Sequence, residues 1–271
     1  MKFSKTLFIE WHNMNIMSES EVASKVDVIV VCIKPVKRNK ITNTKSSESI
    51  IDEFDINPYD YYALLIAIEY KKKYNARIIC LSMGPSSSSN VLRKCLLFGA
   101  DEAILLNDSI FSGSDTFSTS YILSKAIEKI DVVDFVFFGM KSLDGETGQV
   151  GIAVSTWLNA PLITNIKGIS YFEKEKHENH MLNPITTVCT FNQFEIPRAI
   201  TLYEAYKMNN VEILYWNAKS IQVKEEYCGQ KGSLTVVKRF NKINQGRKIT
   251  TISGSINEIC NFLIKTLNLR S

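Results

Sequence analysis

The residues of this chain best suited to chemistry are ones that could hold an anion, not ones that could cleave a bond. Gly139-Met140-Lys141-Ser142-Leu143-Asp144-Gly145-Glu146-Thr147-Gly148-Gln149-Val150-Gly151 follows an apolar run and precedes a helical period. Glycines let backbone N–H groups approach an anion, the free N–H groups of the following helix add partial positive charge, and Thr147 adds a hydroxyl. The same segment also reads as a plain turn with Asp144 as the helix N-cap. It is neither Gly-x-Gly-x-x-Gly nor a P-loop, because no Gly-Lys-Ser/Thr follows, so dinucleotide dehydrogenases and P-loop ATPases lose their best markers. Asn57-Pro58-Tyr59-Asp60 carries two readings as well: an N-cap with proline at the first helical position, or the edge of a ligand site.

Side-chain catalysis has no candidate. No Gly-x-Ser-x-Gly, Ser/His/Asp set or Cys/His pair is present with supporting context, and His12 stands alone. His177 and His180 form His-x-x-His in a polar stretch that reads as a solvated hairpin tip, not a metal site. The six cysteines, Cys32, Cys80, Cys95, Cys189, Cys228 and Cys260, are scattered without Cys-x-x-Cys. That spacing argues against both disulfides and zinc. This points to a chain whose reactive group is a bound cofactor.

The elements that would position such a group are legible as an alternation. Val26–Ile33, Arg77–Leu81, Glu102–Leu106 and Val133–Phe138 are apolar throughout, as parallel strands buried on both faces require. Between them lie helical periods. The first opens at Asn57-Pro58 and ends at Lys71-Lys72-Lys73, the second runs from the Ser86–Ser89 stretch to Gly99, and the third starts near Ser114-Asp115. A fourth begins after Asp144-Gly145 and puts Val150, Ala153, Val154, Trp157 and Leu158 on one face. The pattern predicts an α/β fold, a Rossmann-like, doubly wound and mainly parallel sheet. In such a sheet ligands sit beyond the carboxyl ends of the strands. That rule selects Cys32–Val36, Ser82–Pro85, Ser112–Thr116 and Gly139–Gly151.

Beyond Pro161, Thr164–Phe172 and Ile185–Phe191 read as two strands of a β-hairpin insertion joined by the polar stretch 173–183. Lys37–Ser49 reads as a loop or β-excursion. The expected division is an unassigned extension over 1–25, an α/β domain over 26–210, and an extended C-terminal arm over 211–271 that ends in a helix at Ile256–Leu267 and packs on a partner. Hydrophobic residues at 45% and charged residues at 22% fit an ordinary folded protein. A net charge of +4, with basic and acidic residues interleaved, gives no support for nucleic-acid binding. The longest apolar runs fall far short of the ~20 residues of a membrane span, and no signal-peptide core is seen, so the expected compartment is the cytoplasm.

Taken together, Val31-Cys32-Ile33-Lys34-Pro35-Val36, Asn57-Pro58-Tyr59-Asp60, Leu81-Ser82-Met83-Gly84-Pro85, Gly99-Ala100-Asp101-Glu102-Ala103, Gly113-Ser114-Asp115-Thr116 and Asp144-Gly145-Glu146-Thr147-Gly148-Gln149-Val150-Gly151 resemble the beta subunit of electron-transfer flavoprotein in order and spacing. The resemblance covers most of residues 26–240. It implies an adenine-nucleotide-binding domain paired with a flavin-bearing alpha subunit. In that family the beta-site nucleotide is AMP in ordinary carriers and a second FAD in the electron-bifurcating type. The Asp144–Gly151 motif resembles the latter, as does Cys228-Gly229-Gln230-Lys231-Gly232-Ser233 in the tail, so FAD is expected, with AMP the alternative.

Carried over by motif, the implied cofactor contacts are Cys32, Asn57, Pro58, Tyr59, Asp60, Met83, Gly139, Met140, Asp144, Gly145, Glu146, Thr147, Gly148, Gln149 and Val150. The sequence departs from the family at Met140-Lys141, where Lys-Gln is usual, and at Ile152, where proline is common. Glu195–Lys207 resembles the family's recognition loop, with Leu202 at the anchor that enters an acyl-CoA or hydroxy-acid dehydrogenase. Read locally, Leu202 is as easily an incidental surface leucine. NADH is the implied electron source, oxidised only within the assembled complex.

Overall fold

The computed structural model describes residues 26–37, 54–178, 186–193, 195–208, 211–235 and 253–266. The extension 1–25, most of the Lys37–Ser49 stretch and His180 lie outside the described residues. Seven strands form one parallel sheet: β1 (Val28–Cys32), β4 (Arg77–Met83), β5 (Glu102–Leu106), β6 (Phe135–Gly139), β7 (Leu162–Ile166), β8 (Thr187–Phe191) and β9 (Leu214–Trp216). Their order is β7-β8-β6-β1-β4-β5-β9. A separate two-stranded antiparallel pair is formed by β2 (Pro35–Lys37) and β3 (Phe54–Ile56).

The unbroken apolar run of β1 is explained by burial on both faces. Ile29 and Val31 point into a core with Tyr61, Leu64 and Ala67 of α1 (Pro58–Tyr74) and Val91, Leu92 and Cys95 of α2 (Ser89–Phe98). Val30 and Cys32 point the other way, toward Tyr121, Ile122 and Ala126 of α3 (Thr116–Glu128) and Val154 of α4 (Val150–Trp157). Each face thus buries the stripe of a crossover helix, which is what fixes a doubly wound sheet.

Two expectations are corrected. The segment after Pro161 is not a hairpin: β7 and β8 run parallel and are joined through α5 (Ile169–Glu178). The driving contact is Phe172, fully buried, whose ring meets Phe135, Phe137 and Tyr70 at centroid distances of 5.2, 5.1 and 5.5 Å. Three aromatic partners on the sheet and α1 override the β-propensity of Ile169-Ser170-Tyr171-Phe172.

The second correction moves the boundary at 210. β9 pairs with β5, and Ile213, Ile221 and Cys228 are buried, so residues to about 236 belong to the same compact unit as the sheet. Two short helices, α6 (Leu202–Met208) and α7 (Gly229–Gly232), lie in this unit; α8 (Ile256–Thr266) belongs to a second unit, 237–271. No described helix is long and apolar enough to cross a membrane.

Candidate functional site

The chain moves from β1 outward to β4 and β5, then returns to β6 on the other side of β1. At such a reversal the connecting loops diverge and leave a crevice beyond the carboxyl ends of the strands. The turn after β1 and the long turn after β6 are its two walls.

Asp60, in the first turn of α1 and 6% exposed, ties these walls together at the base. Its Oδ2 accepts the Lys34 N–H at 2.8 Å, and its Oδ1 accepts the Gly139 N–H at 3.1 Å. A Cβ on Gly139 would stand 2.4 Å from Asp60 Oδ1 and 2.5 Å from the Tyr59 carbonyl carbon, so only glycine lets β6 end against this helix. Burial pushes the Asp60 carboxyl up to about 7, against the opposing pull of the two N–H groups, Asn57 and Lys34. The Cys32 thiol beside it is pushed up as well, by burial and then by Asp60, so it lines the crevice as a neutral group and offers no nucleophile.

Asn57 does not cap α1 through its side chain. Its Nδ2 instead reaches across to donate to the Lys141 carbonyl at 2.8 Å, a second tie between the walls. Pro58 is buried at the helix start, and Tyr59, half-buried, has the Lys141 Nζ 5.9 Å from its ring centroid.

The upper wall is built differently. Lys34 Nζ bonds Asp144 Oδ1 at 2.6 Å and Ser142 Oγ at 3.3 Å across the mouth. Partial burial raises the Asp144 carboxyl, but the bonds from Lys34 and Ser142 outweigh it and hold it below its ordinary value. Asp144 is therefore an ion-pair partner and not an N-cap: α4 opens at Val150, with Gln149 at the cap position and no side-chain cap bond. The Gly145 and Glu146 N–H groups fold back on Ser142. From Thr147 through Ile152, the backbone N–H groups have no partner among the described residues. Gly148 makes the bend, at φ +64°, and a Cβ there would lie 3.0 Å from the Met140 carbonyl oxygen. Thr147 Oγ1 stands 3.5 Å from Thr116 Oγ1 of α3.

A run of N–H groups without partners among the described residues, at a glycine bend and a helix start, has the geometry that could receive an anion. The structure thus gathers Cys32, Asn57–Asp60 and Gly139–Val150 around one crevice, with Met83 half-buried at the end of β4 beyond β1. It adds Lys34, paired with Asp144, and Thr116, beside Thr147, to them. Both lie within turns that the strand-end rule selects, but a lone lysine or threonine carries no spacing signal of its own.

The sequence profile of the electron transfer flavoprotein domain matches residues 50–190. Protein FixA of Azorhizobium caulinodans is 33% identical over 251 residues, covering 84% of this chain and 89% of that protein. The electron transfer flavoprotein subunit beta of Thermoanaerobacterium thermosaccharolyticum is 33% identical over 227 residues, 79% of this chain and 86% of its own length. The chain belongs to the electron-transfer flavoprotein beta-subunit family. Its general activity is electron transfer. A third relative, the caffeyl-CoA reductase-Etf complex subunit CarD of Acetobacterium woodii, is 30% identical over 255 residues, 88% of this chain and 97% of that protein.

As a flavoprotein subunit the chain presents a second, separate feature. The loop from Glu195 leads into α6, where Leu202 is 92% exposed and Ile196, Tyr203 and Tyr206 are exposed beside it in sequence. The helix start is locked: Thr201 and Glu204 exchange bonds, Glu204 N–H to Thr201 Oγ1 at 3.2 Å and Thr201 N–H to Glu204 Oε2 at 2.9 Å, a capping box. Arg198 grips the same carboxylate with both terminal nitrogens, at 3.0 and 2.6 Å, and holds it down to about 2.

Proposed function

We propose that this chain is the beta subunit of a heterodimeric electron-transfer flavoprotein that holds FAD in the β1/β6 crevice. Electrons from NADH then pass, by flavin-based bifurcation, to the alpha-subunit FAD and to a partner dehydrogenase. The observation that carries the reading is the unpaired N–H run from Thr147 to Ile152 at the Gly148 bend. Its donors suit a diphosphate, and the cradle is one that a single Cβ at Gly148 would fill.

In that role Thr147–Ile152 bind the phosphates, with Lys34 supplying a positive charge at the mouth once it exchanges Asp144 for the ligand. Asp60 and Asn57 keep the walls at the spacing the cofactor needs. Cys32 and Met83 give an apolar floor that excludes water. Bound there, FAD would supply the redox chemistry that the chain's own side chains lack. Leu202, presented on a pre-locked helix, is the docking residue for the dehydrogenase. The name of the Acetobacterium woodii relative puts that protein in a complex with a CoA-ester reductase, which supports an acyl-CoA enzyme as the partner class here.

The experiment is the nucleotide content of the purified alpha–beta pair. Two FAD released per heterodimer on denaturation is the expected result. One FAD with one AMP would replace the bifurcating reading with that of an ordinary carrier, and one FAD with no second nucleotide would remove the beta site altogether.

A further inference from the structure

The chain returns from the far edge of the sheet to the crevice. Residues 227–235 lie as a strap along the loop and helix start at 110–118, a segment more than 100 positions away. The Gly229 N–H donates to Ser114 Oγ at 3.2 Å, the Gln230 N–H to the Ser112 carbonyl at 3.1 Å, and Ser118 Oγ to the Tyr227 carbonyl at 2.7 Å. A Cβ on Gly229 would come within 2.2 Å of the Ile110 carbonyl oxygen, so the two backbones touch with no room for a side chain.

The contact converges on Asp115. Its Oδ1 caps α3 by accepting the Ser118 N–H at 3.0 Å. Its Oδ2 accepts both the N–H and the hydroxyl of Thr235, each at 2.9 Å. Its own N–H donates to Ser233 Oγ at 2.8 Å. Partial burial raises this carboxyl, but the bonds from Ser118 and Thr235 bring it below its ordinary value, so it acts as an anion. The next residue is Thr116, whose hydroxyl faces Thr147 in the cradle. Two hydroxyls 3.5 Å apart can both donate to one oxygen at about 2.7 Å each.

We propose that the strap, acting through Asp115, positions Thr116 as a further phosphate contact, so that seating of residues 227–235 and nucleotide binding reinforce each other. Thr116 is the contact; Asp115, Ser233 and Thr235 are positioning residues. The inference rests on the nucleotide reading of the crevice. Reciprocity follows from linkage: whatever the strap adds to nucleotide affinity, the nucleotide adds to the seating of the strap.

The test titrates AMP into the nucleotide-stripped alpha–beta pair. Thr116→Val is expected to weaken binding about tenfold, and Ser233→Ala with Thr235→Val about fivefold, although neither strap residue touches the cradle. Adding the strap substitutions to Thr116→Val should cost nothing further, because their effect passes through that hydroxyl. Thr235→Ser, which keeps the bond to Asp115, should bind like the parent. Strap variants that bind AMP within a factor of 1.5 of the parent, or whose losses multiply with that of Thr116→Val, would overturn the proposal. A Gly148→Val control separates the two ideas: if it too binds AMP normally, the crevice reading falls, whereas strap variants silent beside a defective Gly148→Val sink the strap inference alone.

Discussion

Asn57–Asp60 and Thr147–Ile152 sit on the same crevice and the sequence marks the first, and Thr147–Val150 of the second, as ligand contacts, yet they use their polar atoms in opposite ways. Asp60 commits both oxygens to the protein's own backbone, and Asn57 donates its amide to Lys141. The second segment leaves its N–H groups without partners among the described residues. One builds the frame and the other is left free to bind. A motif that borders a ligand can therefore exist chiefly to hold the walls at the right distance, and only the hydrogen-bond ledger of the folded chain tells the two roles apart.

The largest effect expected from breaking this contrast is at Gly148. Valine there would need φ +64°, which costs about 1–2 kcal/mol even for an unbranched residue, and would press its Cβ toward the Met140 carbonyl. Beta-site nucleotide should fall at least a hundredfold in affinity while the alpha-site flavin stays, as read by nucleotide released on denaturation; unchanged content would make Gly148 a mere helix-start residue.

Asp60→Asn tests the frame and should shed nucleotide less severely, about tenfold, because the amide keeps one acceptor and sets an NH₂ against the other N–H. It also carries a pH signature. The folded-state value near 7 exceeds the ordinary 3.8, so between them the folded chain binds the extra proton. Asp60's contribution to stability is thus fully present below about pH 4 and lost as pH rises through about 7. Relative to Asp60→Asn, the parent should lose about 3 kcal/mol of unfolding free energy between pH 5 and pH 8 in urea titrations. Parallel curves for the two proteins would show that the carboxylate is not buried as described.

Leu202→Ala lies outside the crevice and sharpens the contrast from another side. A central apolar anchor is worth ~2 kcal/mol, so docking to the dehydrogenase should weaken about thirtyfold. Flavin content and melting temperature should not change, because the side chain is almost wholly exposed. A lowered melting temperature with normal docking would contradict that placement. Smallest of all is Lys34→Met: its pair with Asp144 is half exposed, and such pairs are worth at most about 1 kcal/mol. Nucleotide affinity should drop by no more than about fivefold, with a shallower dependence on salt in the same titration.

What could be read in the sequence follows from how local each signal is. β1, β4, β5 and β6 are continuous apolar runs, so burial on both faces is written in each strand alone. The Gly145–Gly151 bend was visible for the same reason, since glycine spacing is a property of a few adjacent residues. Asp144 looks like a cap for α4, but its partner, Lys34, is 110 positions away and the helix opens only at Val150. The β7–α5–β8 unit is not legible locally because Phe172 is held by rings on other elements, and β9 leaves no pattern because three residues beside a preformed strand need none. The strap on Asp115 rests on contacts between segments about 120 positions apart. No window along the chain contains it.

Hydrogen–deuterium exchange of the alpha–beta pair with and without its beta-site nucleotide tests the central claim most directly. The account predicts that the amides of Thr147–Ile152 exchange quickly in the stripped protein and become protected when FAD is added. The Lys34 and Gly139 amides, already held by Asp60, should be slow in both states. Equal exchange of Thr147–Ile152 with and without FAD would contradict the claim that these N–H groups are the anion cradle of the crevice.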